Sequence, residues 1–124
     1  MADKVVDASA IAALAFAEPD ADLVIDAIDG HRLHAPTLIE FELMNVAWKR
    51  SRKQPAAARL FLNALDVLDD LRLRFRGIDH EQVVKLGLST GLTAYDATYL
   101  WLARALGMPL VTLDSRLAAH AKKI

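Results

Sequence analysis

A chain of 124 residues has room for one compact domain and little more. Its 54% apolar and 25% charged residues supply a core, and 15 Lys and Arg against 16 Asp and Glu exclude both a disordered polyelectrolyte and a global field that would draw it onto nucleic acid. The absence of cysteine excludes a disulfide framework, a thiolate zinc site and a cysteine nucleophile.

Val5 and Val6, bounded by Asp7, predict a short strand feeding a Ser-started helix from Ser9 to Phe16, which leaves Asp7 at the strand's carboxyl end. Pro19 predicts the first turn of a second helix carrying Leu23, Val24, Ala27 and Ile28, stopped by Gly30. A brief strand follows around Leu33 and Ala35. From Thr37 to about Lys53 the apolar residues Leu38, Phe41, Met44 and Trp48 recur at helical spacing, and Pro55 opens another helix to about Leu68, giving a helical hairpin.

Leu71, Leu73 and Phe75 alternate with Arg72, Arg74 and Arg76, the period of an edge strand covered on one face. A short helix over about His80 to Leu88 comes next. Thr93 starts a further helix ending near Leu106, and Gly107 precedes a strand from about Pro109 to Leu113. A last helix follows Asp114. Strands separated by helices predict an α/β fold with a largely parallel sheet, whose ligands bind beyond the carboxyl ends of the strands. With no repeat or Gly/Ser linker, residues 1–124 read as a single domain. The start lacks a signal-peptide pattern and no apolar run approaches the roughly 20 residues of a membrane span, so a protein without membrane segments is expected, in the cytoplasm by default.

Four acids stand where such a fold would gather them. Asp7 follows the first strand and Asp114 the last; if these strands are neighbours, the two carboxylates share one rim. Asp96 lies in the first turn of the Thr93 helix. Glu42 lies in the third helix, with Asn45 and Lys49 on its face. Hard oxygen ligands of this kind suit Mg²⁺ or Mn²⁺ and do not suit zinc. Each acid also fits a structural role: Asp7 as a polar strand end, Glu42 as a solvated helix residue, Asp114 as a helix N-cap and Asp96 in a capping box with Thr93. Lys49, Arg50, Arg52 and Lys53 suit phosphate, but they also complement the dipole at their helix's end, which is the favoured reading. The four histidines show no i, i+4 metal pair, and Ser9 has no evident His and acid partners.

The order Asp7-Ala8-Ser9, Glu42-Leu43-Met44-Asn45, Tyr95-Asp96-Ala97-Thr98-Tyr99 with Leu102-Ala103, and Val111-Thr112-Leu113-Asp114 resembles the PIN-domain ribonucleases, in particular the VapC-type toxins of VapBC toxin-antitoxin pairs. The resemblance spans essentially the whole chain. It implies a three-layer α/β/α sandwich with a short, mostly parallel sheet. It also implies that Asp7, Glu42, Asp96 and Asp114 are the catalytic, metal-binding acids for Mg²⁺ (or Mn²⁺), with Ser9, Asn45 and Thr112 supporting them. An RNA substrate, endonucleolytic cleavage, a homodimer and a cognate VapB-like antitoxin that covers the acidic cleft, reaching it with an Arg or Lys, are further implications. Leu117 departs from the family by replacing a frequent aromatic, and Glu40 adds a carboxylate that should point away, about 200° round the helix from Glu42. Two other functions fit the same residues: a phosphohydrolase with Asp7 as nucleophile, for which Ala8-Ser9 supplies no second acid, and a non-catalytic PIN-like binding module.

Overall fold

The computed structural model describes residues 2–122. Its sheet runs in the order β3-β2-β1-β4, from β1 (Asp3–Val6), β2 (Arg32–Ala35), β3 (Arg74–Phe75) and β4 (Leu110–Val111), and every ladder is parallel. The first and last strands are neighbours, with Val5 opposite Leu110 and Val6 opposite Val111. Their carboxyl ends therefore coincide at one rim, the arrangement that the positions of Asp7 and Asp114 call for.

Successive residues of a strand face opposite sides, and the two sides of this sheet are both covered. Val5 and Leu110 meet Leu102 and Ala103 of α7 (Ala94–Leu106) on one side. Val6, Leu33 and Ala35 enter the main core with Ala10 and Ile11 of α1 (Ala8–Ala15) and with Ile39 and Leu43 of α3 (Leu38–Lys53). The result is the expected α/β/α sandwich. Leu117 is fully buried in the main core, so an aliphatic residue fills the place where an aromatic was the alternative.

Several element boundaries differ from the sequence reading. Helix α2 (Ala21–Ile28) begins two residues after Pro19, which lies in the preceding turn. The helix expected from Pro55 to Leu68 is divided into a 3₁₀ turn (Pro55–Ala57), α4 (Ala58–Ala64) and α5 (Val67–Asp70). At the division the backbone tightens: Leu65 and Asp66 donate to Leu62 and Asn63, three residues back instead of four. This re-aims Leu65, Val67, Leu68 and Leu71 onto the core.

The strand expected over 71–76 shrinks to Arg74–Phe75, because Arg72 turns the chain with φ at 50°. Its edge position is as expected. Helix α6 (His80–Thr90) runs two residues past Leu88 and stops at Gly91, whose φ of 77° gives the left-handed C-cap. The strand expected from about Pro109 to Leu113 is the two-residue β4, and α8 (Ser115–Ala121) follows Asp114. Among the described residues no helix is long and apolar enough to cross a membrane.

Candidate active site

Asp7 is the best-defined of the four acids. It leaves β1, caps α1 and is only 4% exposed. Its Oδ1 accepts the Ser9 hydroxyl at 2.7 Å and the Ala10 N–H at 3.0 Å, and its Oδ2 accepts the Thr112 hydroxyl at 2.5 Å. Three donors on a buried carboxylate leave little freedom of orientation. The same hydroxyls also tie down the last strand's exit, since the Leu113 N–H donates to Ser9 Oγ and the Asp114 N–H donates to Thr112 Oγ1. Ser9 and Thr112 thus brace the rim from both strands.

Asp114 caps α8 by accepting the Leu117 N–H at 2.9 Å, and it is exposed. The cap role read from sequence is therefore real there; it occupies one carboxylate oxygen, and the charge still acts on Asp7 and Asp96. At Asp96 the capping box is half formed: Thr93 Oγ1 accepts the Asp96 N–H, but among the described residues the Thr93 N–H makes no return bond to the Asp96 carboxylate. Glu42 accepts the hydroxyl of Tyr99, a side chain only 1% exposed, at 2.5 Å. Asn45 lies exposed on α3 with no side-chain hydrogen bond among the described residues, so its expected supporting role has no contact behind it.

The four acids form one electrostatic group. Burial pushes Asp7 above its ordinary value, Thr112, Ala10 and Ser9 pull it back, and Asp114 raises it further. Burial likewise raises Glu42, against the Tyr99 hydrogen bond and with Asp96 and Asp7 adding to the rise. Asp96 is raised by burial and then by Asp114, with Thr93 and Arg116 opposing. Desolvation and mutual repulsion therefore both favour a bound proton or a cation in this space. Glu40 does not act on any of these acids, consistent with its different helix face.

Among the described residues no three His, Cys, Asp or Glu side chains are arranged to hold a metal ion as they stand. The donor set nevertheless fits a small hard cation. Mg²⁺ needs only one or two carboxylates, completes its octahedron with water, and would relieve the repulsion that raises these acids.

Tyr99 and Arg116 stand in the site without having been picked out as site residues. Tyr99 sits three residues after Asp96 on one helix face, the spacing that would have signalled it. Arg116 follows Asp114 by two and reaches the carbonyl of Gly91 at 2.7 Å. The basic end of α3 is partly committed elsewhere: Arg50 pairs with Glu18 at 3.1 Å and lies over Phe16, and Arg52 lies over Trp48. Beside the rim runs a groove of about 730 Å³ lined by Phe41, Phe75, Val84 and Tyr95, two of which directly precede Glu42 and Asp96.

Residues 4–123 match the PIN domain family model. The chain belongs to the PIN-domain family. Among curated PIN relatives, "Ribonuclease VapC3" of Pyrobaculum aerophilum is 35% identical over 92% of this chain and 91% of its own length. "Exonuclease VapC9" of the same organism is 34% identical over 66% of this chain and 62% of its own. The crystal structure of PAE2754 from Pyrobaculum aerophilum superposes with a TM-score of 0.77 at 29% identity, covering 96% of this chain and 84% of that one. The PIN fold and the VapC-type resemblance read from the four motifs agree with these relatives.

Proposed function

We propose that this PIN-domain protein is a Mg²⁺-dependent endoribonuclease and the toxin of a toxin-antitoxin pair. The observation that carries the proposal is the electrostatic coupling of Asp7, Glu42, Asp96 and Asp114 at one rim, in a chain whose 35%-identical relative is named a ribonuclease. Asp7, braced by Ser9 and Thr112, and Glu42, held by Tyr99, would be the fixed ligands of such an ion, with Asp96 and Asp114 completing the acidic set. A divalent ion held there, Mg²⁺ or alternatively Mn²⁺, would supply an acidified water and positive charge for the phosphate under attack. In such a centre Asp96, presented on the first turn of α7, would orient the attacking water and take up its proton.

The apolar groove beside Glu42 and Asp96 gives an antitoxin segment a surface to lie on while an Arg or Lys reaches the acids. Met44 and Trp48, both exposed and one turn apart on α3 outside that groove, support a homodimer. The proposed attack is within the strand, in contrast to the relative named an exonuclease.

Circular and linear forms of one RNA, incubated with Mg²⁺ or with EDTA, test the proposal. Cleavage of both forms with Mg²⁺ only is expected. Cleavage of the linear form alone would make the protein an exonuclease. No cleavage of either, by a protein whose melting temperature does not respond to Mg²⁺, would favour the non-catalytic binding module.

A further inference from the structure

Arg116 is placed with unusual care for an exposed residue. It lies in the first turn of α8, two residues beyond Asp114, so its backbone belongs to the same rim as the acids. Its guanidinium donates to the carbonyl of Gly91 at 2.7 Å. Gly91 ends α6 in the left-handed region with φ at 77°, and a Cβ there would stand 3.2 Å from the Arg116 Nη2. Glycine at 91 thus serves two ends: it turns the chain and it leaves room for the guanidinium to dock.

The docked cation stands close to the acids without pairing with them. It acts on Asp96 against the effect of Asp114, yet among the described residues it forms no ion pair within 4.0 Å. A guanidinium carries five N–H donors in a rigid fork, and the Gly91 carbonyl accounts for only part of them. Among the described residues that act on Asp7, Glu42 and Asp96, Arg116 is the one cation, acting on Asp96, so it offers a polyanion an attraction beside acids that repel it.

Resting on the nuclease reading above, we infer that Arg116 is a substrate-binding residue that grips a phosphate of the RNA strand beside the acidic centre, held in place by the Gly91 carbonyl. The planar fork suits two phosphate oxygens at once, which an ammonium cannot match. The competing role is a tether that joins α8 to the end of α6.

Arg116→Gln keeps a polar N–H donor of shorter reach but removes the charge, and Arg116→Lys keeps the charge but loses the fork. Each variant and the wild type would be compared on a defined single-stranded RNA for kcat and KM with Mg²⁺. Affinity for the same RNA would be measured in EDTA over a range of salt concentrations. The phosphate role predicts that Arg116→Gln loses about tenfold or more in kcat/KM, with Arg116→Lys between it and wild type. It also predicts that log affinity falls less steeply with log salt in Arg116→Gln, by about 0.7. Wild-type kinetics and salt slope in Arg116→Gln would overturn the inference, as would losses in both variants that follow only a fall in melting temperature. If wild type cleaves no RNA, the nuclease reading fails while the salt slope in EDTA still decides whether Arg116 meets phosphate.

Discussion

At the scale of single residues, the chemistry turns on carboxylates that are uncomfortable when ionised. Asp7, Glu42 and Asp96 are all held above their ordinary values, with burial the largest cause in each. The native state therefore binds protons that the unfolded chain has already released in the window between the ordinary carboxylate value and the raised one. Stability linked to these groups falls as pH rises through that window and is fully lost above it. Asp3 runs the other way. His34 and Arg32 hold it below its ordinary value, so its contribution is complete above that value and is lost as pH falls. Thermal melts in EDTA should accordingly show the metal-free protein more stable near pH 5 than at pH 8, with Mg²⁺ removing most of the difference. A melting temperature that rises over the same range without metal would contradict the raised values.

Tyr99 belongs to this scale too. Burial and the neighbouring Glu42 keep its hydroxyl protonated far beyond neutral pH, so it acts toward Glu42 as a donor only. Tyr99→Phe should destabilise the fold by about 1 kcal/mol, read from urea unfolding, and weaken Mg²⁺ binding read from the metal-induced thermal shift. Unchanged metal response would show that Glu42 needs no such support.

At the scale of elements, helix ends position the acids, and most of those ends are written in short signals. Asp7, Thr93 and Asp114 each cap a helix through the side chain, and Gly91 and Gly107 close α6 and α7 in the left-handed region. Removing the Thr93 cap by Thr93→Ala should cost about 1 kcal/mol in urea unfolding, and cleavage should fall because Asp96 rides on the first turn that the cap fixes. A loss of stability with unaltered cleavage would separate the cap from the site. The ends that the sequence did not disclose are tertiary in origin. The break between α4 and α5 carries no Gly or Pro; it arises because Leu65, Val67, Leu68 and Leu71 all reach the core only when the helix tightens and turns. The run of alternating Leu and Arg after it has the period of a long strand, yet Arg72 adopts a left-handed backbone that no local pattern signals.

At the scale of the whole molecule, the parallel order β3-β2-β1-β4 decides that residues 107 positions apart in sequence, Asp7 and Asp114, share one rim. The motif order was enough to read the fold, and the four acids it singled out each sit at a strand exit or in a helix at that rim. The hydroxyl brace on Asp7 was legible only as supporting residues, Ser9 and Thr112, without its geometry. Tyr99 stood in a motif without being marked and Arg116 lay two residues beyond the last one, since a buried hydroxyl donor and a docked cation are defined by what they meet in space. Asn45 is the reverse case, marked by its motif and left without a contact among the described residues.

The most direct test of the proposed centre compares wild type with Asp96→Asn on one RNA, with Mg²⁺ and with EDTA, beside circular dichroism of both proteins. Asp96 suits the comparison because the Thr93 cap is made to its backbone N–H, which Asp96→Asn keeps, so the amide should leave the fold intact. Cleavage by wild type with Mg²⁺ alone, and none by a folded Asp96→Asn, is the expected result. Equal cleavage by the folded variant, or cleavage that persists in EDTA, would contradict a metal-dependent centre built on these acids.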